Sequence, residues 1–435
     1  MKADFNLSKK SFAIYGLGIT GSSVINFFKK NSLKNYVVWD DNEQVLKKKF
    51  GFKYLDEKKK FLKNLNFVDY IIISPGIKIE KAKLRKILLK NKRKIITDLD
   101  IFFMINTKVK TIVVTGTNGK STTCKIINHV LNKNNIKSAL CGNIGSPILG
   151  INTEKKTHVV IEASSFQLFY SKFVKPDFAI ILNISNDHLD WHGSMNKYLN
   201  SKLKIFNLQG KKNLALLNSN NVKKKYYYNK YKGKLLFINI KKYLKIKNKI
   251  KNIYLNLKIN DENMSFVYAI SKFVNIKEKK FIKSLESFKG MPHRYEIFYK
   301  KQNKIFINDS KATSFAASKY ALHSNENILW ILGGLPKLKD KFKLKNIKKN
   351  IIKSYIIGKH IGFFKNQLKG KVSFKLSKTL KNAIISVFKD AKKIKNKKIT
   401  VLFSPASASY DQYKNFEARG NEFKNLIYKY AKQNI

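Results

Sequence analysis

The sequence predicts an α/β protein of three domains in a chain of 435 residues. Short apolar runs rich in β-branched residues alternate with helix-forming stretches, which is the pattern of a mainly parallel sheet. Two of these runs end in glycine-rich turns, at residues 16–21 and 116–121. Since the chain is longer than one hydrophobic core normally holds, we expect separate domains. We place them at residues 1–97, 98–290 and 291–435.

The first domain, residues 1–97, is predicted to be Rossmann-like. An apolar run, Phe12 to Tyr15, leads into a Gly-x-Gly-x-x-Gly turn at 16–21, and a second run ends in Asp40 at about the distance of a ribose-binding acid. A third run ends in Ser74-Pro75-Gly76. Taken alone, this pattern predicts NAD binding and hence a nicotinamide dehydrogenase. A dehydrogenase, however, has no need of the second phosphate loop that follows.

The second glycine-rich turn lies in TIVVTGTNGKSTT, residues 111–123, and predicts a nucleotide phosphate loop. A strand ends in the turn, Lys120 would reach the terminal phosphates of ATP, and the hydroxyl of Ser121 or Thr122 would bind Mg²⁺. Val114 stands where the first glycine of the usual motif belongs. The alternative is a plain strand-to-helix turn, but Gly-Lys-Ser-Thr directly after a β-branched run favours a P-loop ATPase domain with a mainly parallel sheet over residues 98–290.

Oxygen and imidazole side chains follow the next two predicted strands. Glu162 ends HVVIE, and Asp187, His188, Asp190 and His192 follow FAIILNISN. Strand ends beside a phosphate loop are where an ATPase presents Mg²⁺ ligands, although the spacing of the two histidines also suggests zinc. From composition alone, Lys202 would be an ordinary surface lysine.

The remaining segments carry weaker signals. Residues 211–280 are rich in lysine and asparagine, and we expect strands and surface loops there. From residue 291, the runs KIFIND, ILWILGG, SYIIG and TVLFSP alternate with helical stretches and predict a Rossmann-like C-terminal domain.

The composition bounds the partners. The formal charge is +62, from 89 basic and 27 acidic residues, which would ordinarily indicate nucleic acid or an anionic membrane. The lysines, however, are spread along the whole chain beside abundant Asn, Ile, Phe and Tyr, as expected from DNA rich in A and T. Only four arginines occur, and Arg294 and Arg419 lie in motifs. We therefore expect no nucleic-acid partner and no membrane partner.

The same composition indicates the compartment. No apolar run approaches the ~18 residues that span a bilayer, and the chain opens without an apolar secretory segment. The two cysteines, Cys124 and Cys141, lack metal-ligand spacing and fit a reducing compartment. We expect a cytoplasmic monomer.

Nine strings together closely resemble the Mur ligases, in order and across all three segments. They are TGTNGKSTT (115–123), GNIGSP (142–147), EASSFQL (162–168), NDHLDWHGS (186–194), YLNSKLKIF (198–206), MPHRYE (291–296), NDSKATS (308–314), GGLPK (333–337) and SPASASYDQYKNFEARG (404–420). SSFQL, NDSKAT and SYDQYKNFEARG favour the member of the family that adds D-glutamate. The resemblance also implies that the first domain binds the UDP end of a substrate and not NAD.

The resemblance implies a two-step reaction in peptidoglycan precursor synthesis. ATP phosphorylates the alanyl carboxylate of UDP-N-acetylmuramoyl-L-alanine to an acyl phosphate, and the amine of D-glutamate displaces the phosphate. It implies ATP, two Mg²⁺ sites and a carbamoylated lysine at Lys202. Another Mur ligase or a folylpolyglutamate synthase-like ligase is the nearest alternative, and a basic nucleic-acid-binding P-loop ATPase is an alternative of a different class.

The resemblance also implies roles for individual residues. The catalytic set is Lys120, Glu162, His188 and Lys202, and the metal ligands are Ser121, Glu162, His188 and Lys202. The ATP-binding set is Thr117, Asn118, Gly119, Lys120, Ser121, Thr122, Thr123, Asn263, Arg294, Asp309 and Lys311. The UDP-sugar set is Ile19, Thr20, Asp40, Ser74, Gly76, Asn143 and Ser164. The D-glutamate set is Thr313, Lys337, Ser409 and Phe416. Phe266 departs from the family, which usually has an adenine-binding asparagine there.

Overall fold

Three sheets with flanking helices make up the protein, as seen in a computed structural model. It describes residues 6–105, 108–218, 231–252, 254–337, 340–342, 345–394 and 397–434. Two sheets lie in one compact unit, residues 1–288, and the third lies in a second unit, residues 289–435. The predicted three-domain α/β class is confirmed. The boundary at residue 97, inside the first unit, remains our proposal.

The first sheet is parallel, with strand order β2-β1-β3-β4. Its strands are β1 (Phe12–Tyr15), β2 (Tyr36–Trp39), β3 (Tyr70–Ile73) and β4 (Ile95–Ile96). The helices along this part of the chain are α1 (Ile19–Lys30), α2 (Glu43–Phe50), α3 (Tyr54–Asn64), α4 (Arg85–Lys90) and α5 (Asp98–Ile105). Because helices cover parallel sheets, the strands read as continuous apolar runs.

The second sheet is also parallel, with strand order β10-β9-β8-β5-β7-β6. Its strands are β5 (Lys110–Thr115), β6 (Ser138–Gly142), β7 (His158–Glu162), β8 (Phe178–Ile181), β9 (Leu214–Asn218) and β10 (Lys234–Ile238). The helices are α6 (Lys120–Lys133), α7 (Ser165–Tyr170), α8 (Leu189–His192), α9 (Met195–Leu203), α10 (Ile240–Lys247), α11 (Asp261–Phe273) and α12 (Glu278–Glu286).

The expectation of strands and surface loops over residues 211–280 is only partly right. Strands β9 and β10 lie there, but so do helices α10 and α11, and α12 begins at Glu278. The sequence pattern of these helices is hard to recognise because lysine is frequent among their apolar residues. Long lysine side chains can cover apolar surface while their ammonium groups stay in water. Part of the segment, residues 219–230, lies outside the described residues.

The third sheet forms the core of the second unit, with strand order β11-β12-β16-β13-β14-β15. The strands are β11 (Glu296–Lys301), β12 (Lys304–Asn308), β13 (Ile328–Gly333), β14 (Ile351–Ile357), β15 (Phe374–Lys378) and β16 (Ile399–Phe403). The helices are α13 (Phe315–His323), α14 (Ile361–Leu368), α15 (Leu380–Lys393) and α16 (Phe416–Asn434). Only the β11–β12 pair among these is antiparallel.

Short 3₁₀ turns complete the described secondary structure. They are Leu7–Lys9, Gly51–Lys53, Ile79–Lys81, Lys92–Lys94, Ile148–Gly150, Lys204–Phe206, Lys258–Asn260 and Lys345–Asn350. Within the described ranges, none of the helices combines the length and the apolar character needed to cross a bilayer.

The strand orders decide where functional side chains gather. In the second sheet β5 lies between β8 and β7, so the loops after these three strands leave the same edge side by side. In the third sheet β16 lies between β12 and β13 in the same way. Ligands of open parallel sheets bind at such carboxyl edges.

Candidate active site

The turn between β5 and α6 has the backbone of an anion-binding loop. Gly116 has φ +150° and Gly119 has φ +84°, values that residues with a side chain rarely adopt. A Cβ on Gly119 would also lie 2.1 Å from Oδ1 of Asn263. Gly119 precedes the first residue of α6 and has no side chain with which to cap the helix. The first backbone N–H groups of this 14-residue helix are therefore suited to phosphate oxygens.

Lys120 is the first residue of α6 and holds its ammonium over the loop. Nζ donates to the carbonyl oxygens of Gly116 and Thr117, both at 2.9 Å. The loop is braced from the next strand connection, because Asn118 N donates to Asn183 Oδ1 at 2.8 Å and Ser185 N donates to Thr117 Oγ1 at 3.0 Å. The loop is thus a held structure, with its lysine at the helix N-terminus.

Lys202 is buried at the same loop, so the reading of it as a surface lysine is wrong. Its side chain is on α9 and the residue is 1% exposed. Nζ donates to the Gly116 carbonyl at 2.8 Å, and it lies 4.6 Å from the centre of the Tyr198 ring. Burial, with the nearby charge of Lys120, lowers the pKa of Lys202 well below its usual value. Both causes favour a neutral, nucleophilic amine.

Glu162 ends β7 directly beside the loop, since its backbone pairs in register with Val114 of β5. The residue is 1% exposed, and Oε1 accepts a hydrogen bond from Asn143 Nδ2 at 2.9 Å. Oε2 is buried and has no hydrogen-bond partner within the described part of the chain. A buried carboxylate oxygen of this kind is costly unless it meets a cation, so Glu162 fits a Mg²⁺ ligand.

His188 lies on the loop after β8, but its imidazole turns toward a neighbouring carboxylate. Nε2 is 3.4 Å from Asp187 Oδ2, and the side chain is 45% exposed. Its ring centre is 4.8 Å from that of Phe166. Across the described ranges, no three His, Cys, Asp or Glu side chains form a metal-binding group. Mg²⁺ bound through phosphates needs only one or two protein ligands, so Glu162 with Ser121 remains a sufficient pair.

Other predicted residues of the first unit border this site. Ser121, Thr122, Thr123, Ser164 and Asn263 are buried. Asn143 follows β6, and its N–H donates to the Glu162 carbonyl at 2.9 Å. Phe266, where the resemblance implies an asparagine, is fully buried on α11.

The residues predicted to bind UDP surround the first glycine-rich turn. Ile19 is 82% exposed at the start of α1, and Thr20 follows it. Ser74 donates from Oγ to the Gly16 carbonyl at 2.9 Å. Asp40 accepts from the N–H of Leu17 at 2.6 Å and from Asn42 at 2.8 Å. Asp40 therefore braces the loop, a role that the ribose-binding pattern did not predict.

A cavity of about 320 Å³ opens beside Gly76, a residue of the same predicted set. It is lined by Asp41, Gly76, Ile77, Lys78, Lys81, Ala82, Asp190 and Trp191. The cavity brings the loop after β3 together with the start of α8.

In the second unit, the residues predicted for D-glutamate follow three adjacent strands. Thr313 follows β12, Ser409 follows β16 and Lys337 follows β13. The latter two loops are joined by a pair of 2.9 Å backbone hydrogen bonds between Leu335 and Ala408. The ammonium of Lys311 lies 3.7 Å from the centre of the Phe416 ring.

Asp309 is a buried acid on the loop after β12, beside this cluster. Oδ2 accepts from Ser404 Oγ at 2.8 Å and Oδ1 accepts from Tyr295 N at 3.1 Å. Burial raises the pKa of Asp309 to about 7, while the charge of Arg294 acts against that shift. The carboxyl is thus poised to change charge near neutral pH.

Arg419, which the sequence placed in a motif without a specific role, holds the same loops together. It is buried on α16 and donates to the carbonyls of Ser310 at 2.8 Å, Ser407 at 2.9 Å and Ala408 at 3.2 Å. A rigid guanidinium can serve several carbonyls at once, which an ammonium cannot do as well. The rarity of arginine in this lysine-rich chain was the signal in the sequence that Arg419 has a specific role.

Comparisons with known proteins identify the family. The Mur ligase middle domain matches residues 114–284, and the MurD-like N-terminal domain of the Mur ligases matches residues 10–96. A UDP-N-acetylmuramoylalanine–D-glutamate ligase of Rickettsia prowazekii is 33% identical, over 95% of this chain and 97% of its own length. This chain belongs to the Mur ligase family. A ligase of the same name from Buchnera aphidicola is 36% identical, over 96% of this Mur ligase and 98% of its own length.

Solved structures support the same fold for this Mur ligase. UDP-N-acetylmuramate–alanine ligase MurC of Thermotoga maritima matches with a TM-score of 0.55 and 17% identity, over 98% of this chain and all of that one. MurF ligase of Thermotoga maritima, solved in complex with ADP, matches with a TM-score of 0.57 and 16% identity, over 88% and 93% of the two chains.

Proposed function

We propose that this Mur ligase is an ATP-dependent acid–amino-acid ligase that joins D-glutamate to UDP-N-acetylmuramoyl-L-alanine. The observation that carries the proposal is the buried Lys202 amine, held at the Gly116 carbonyl of the phosphate loop. An amine that is buried beside Lys120 serves no evident purpose in folding, because both burial and the like charge oppose its protonation. The names of the relatives specify the substrates.

The first step transfers the γ-phosphoryl group of ATP to an oxygen of the alanyl carboxylate, releasing ADP and forming an acyl phosphate. The reaction brings anions together, so its barrier is electrostatic. The N-terminal N–H groups of α6 and the Lys120 ammonium offset that repulsion. The amine of D-glutamate then forms a bond to the alanyl carbonyl carbon, phosphate leaves, and the amine loses a proton to give the amide.

Mg²⁺ bound at this edge would neutralise phosphate charge and so favour phosphoryl transfer. We propose that Ser121 and Glu162 hold a first ion and that His188 and Lys202 hold a second. Lys202 acts there as a carbamate: its neutral nitrogen bonds to the carbon of CO₂ and releases one proton to water. The modification converts a neutral amine into an anion that is able to support a metal.

The remaining predicted residues complete the proposal. Thr313, Lys337, Ser409 and Phe416 bind D-glutamate, for which a lysine and hydroxyl groups are suitable partners. Asn263 binds ATP with the phosphate loop, and Arg294, Asp309 and Lys311 are the proposed ATP-binding residues of the second unit. Ile19, Thr20, Asp40, Ser74 and Gly76 bind the UDP end of the substrate, and Asn143 and Ser164 bind its muramoyl-alanine end. We propose that the chain works as a monomer in the cytoplasm.

The experiment that tests this proposal is phosphate release by the purified chain with ATP, Mg²⁺, UDP-N-acetylmuramoyl-L-alanine and one amino acid at a time. We expect release with D-glutamate and only background with L-glutamate, L-alanine or a diamino acid. Equal rates with L-glutamate would overturn the substrate, and release with a diamino acid alone would indicate another member of the family. ATP hydrolysis stimulated by DNA or RNA would favour the nucleic-acid-dependent alternative.

A further inference from the structure

His192, the last residue of α8, is a buried histidine for which the proposed reaction has no role. It is 3% exposed and is enclosed by aromatic rings. The Phe166 ring lies nearly parallel to it, with centres 5.7 Å apart and an interplanar angle of 5°, and the Tyr198 ring meets it at 5.2 Å. These rings fix the orientation of the imidazole, so its two nitrogen atoms point at defined partners.

The two partners are serine hydroxyl groups on different helices. Nε2 lies 3.0 Å from Ser165 Oγ, and Nδ1 lies 3.4 Å from Ser201 Oγ. Ser201 already donates its hydroxyl proton to the Lys197 carbonyl, at 2.6 Å. Nδ1 must therefore donate to Ser201, and Nε2 must accept from Ser165. Burial lowers the pKa of His192 to about 4, so a neutral ring with one donor and one acceptor suits this arrangement at neutral pH.

Each serine is next to a residue of the candidate site. Ser165 is the first residue of α7, immediately after Ser164 and three residues after Glu162. Ser201 immediately precedes Lys202 on α9, and Lys202 donates to the loop carbonyl of Gly116. The imidazole therefore joins the segment that follows Glu162 to the helix that carries Lys202.

We propose that His192 is a positioning residue, whose imidazole bridges Ser165 and Ser201 and so fixes the helix that holds the Lys202 amine at the Gly116 carbonyl. This inference rests on the proposed function for its catalytic consequence. Its structural consequence, the bridge between Ser165 and Ser201, rests on the geometry alone. His192 acts through Ser201 and Lys202 and does not itself take part in the chemistry.

The first test compares two replacements of His192. His192→Phe keeps a ring in the aromatic enclosure and removes both hydrogen bonds, whereas the amide nitrogen of His192→Asn can replace Nδ1 as donor to Ser201. We expect His192→Phe to lower kcat about 10- to 100-fold, the usual effect of losing a partner of a ligand, with KM for ATP within about twofold. We expect His192→Asn to recover part of kcat. Wild-type kcat in His192→Phe, or no recovery in His192→Asn, would overturn the proposal.

A milder variant guards against loss of folding. Ser201→Ala removes only the hydroxyl on the Lys202 side, and Ser271→Ala is its matched control, because Ser271 is also a buried helical serine that donates to a carbonyl one turn earlier. We expect Ser201→Ala to lower kcat and Ser271→Ala to leave it unchanged. The double variant with His192→Phe should be no worse than His192→Phe alone, whereas additive losses would contradict the bridge.

A final measurement does not depend on ligase activity. Trace acetylation of the metal-free chain, read by mass spectrometry, reports how accessible the Lys202 amine is. We expect its rate of acetylation to rise at least tenfold in His192→Phe and to stay at the wild-type rate in Ser271→Ala. If the wild type has no ligase activity, the proposed function fails while these rates still decide the role of His192. Equal rates of Lys202 acetylation in the wild type and His192→Phe would overturn the proposed role of His192.

Discussion

The two glycine-rich turns of the first unit hold similar positions in their sheets and carry different chemistry. Each follows a strand of a parallel sheet and opens a helix whose N-cap is a glycine, Gly18 in one and Gly119 in the other. The first residue of the helix is the exposed Ile19 in the first turn and Lys120 in the second. The carboxylate beside the first turn, Asp40, is occupied by backbone N–H groups, whereas Glu162 beside the second has an oxygen without a hydrogen-bond partner in the described chain.

This difference separates a phosphate-binding backbone from a reactive site. Both turns present helix N–H groups that attract anions, which is enough for binding. Only the second combines them with a lysine at the helix start, a carboxylate oxygen suited to a cation and a buried amine. The Gly-x-Gly-x-x-Gly pattern alone therefore predicted a nucleotide and could not identify which one.

The largest effect is expected from exchanging the first residues of the two helices. Lys120→Ile should reduce phosphate release by about 10²- to 10³-fold, because it removes the charge that stabilises the transferred phosphoryl group. Ile19→Lys is the matched control, and we expect it to leave KM for ATP unchanged. A modest loss in Lys120→Ile, under about tenfold, would mean that the two turns are chemically alike.

The next effect concerns the buried amine, which the first turn lacks. Lys202→Ala should reduce turnover by about 10²-fold, because the proposed metal loses its anionic support. Added bicarbonate should not help this variant, but a short-chain carboxylic acid that fills the space should restore part of the rate. Phosphate release measured with and without acetate gives both the loss of turnover and its partial recovery. Wild-type turnover in Lys202→Ala would show that the carbamate assignment is wrong.

Lys202 should also lower the stability of the unmodified chain. Its pKa in the folded chain lies below the ordinary 10.5, so the unfolded chain binds the extra proton. The free energy of unfolding should then rise with pH between the depressed pKa and about 10.5. Lys202→Met should remove this dependence and stabilise the chain by about 1–3 kcal/mol at neutral pH. Urea unfolding in CO₂-depleted buffer measures this, and a less stable Lys202→Met would contradict it.

The smallest effect should come from the first turn. Asp40→Ala removes the acceptor for two backbone N–H groups, which costs about 1–3 kcal/mol of stability. We expect KM for the UDP substrate to rise severalfold and KM for ATP to stay unchanged. Thermal unfolding measures the loss of stability, and the two KM values show which substrate the first turn binds. A rise in KM for ATP alone would reverse the assignment of the two turns.

Local patterns predicted the sheets and the phosphate loop because β-branched runs and glycine turns act over a few residues. The position of Lys202 could not be predicted in the same way, since its burial depends on a carbonyl 86 residues away in sequence. His192 was taken as a candidate metal ligand because spacing does not reveal burial among aromatic rings. Asp40 was predicted to bind a ribose, and the structure shows that its carboxylate accepts hydrogen bonds from the backbone N–H groups of Leu17 and Asn42. The family resemblance supplied the role of Lys202 that composition had missed.

The central claim is that the second turn activates a carboxylate by phosphorylation. It is tested most directly with UDP-N-acetylmuramoyl-L-alanine that carries ¹⁸O in its alanyl carboxylate, incubated with ATP, Mg²⁺ and D-glutamate. Mass spectrometry of the phosphate then reports where its oxygen came from. The account predicts one ¹⁸O atom in each phosphate released, because the acyl phosphate breaks at the carbonyl carbon. Phosphate without ¹⁸O, at a rate equal to amide formation, would contradict it.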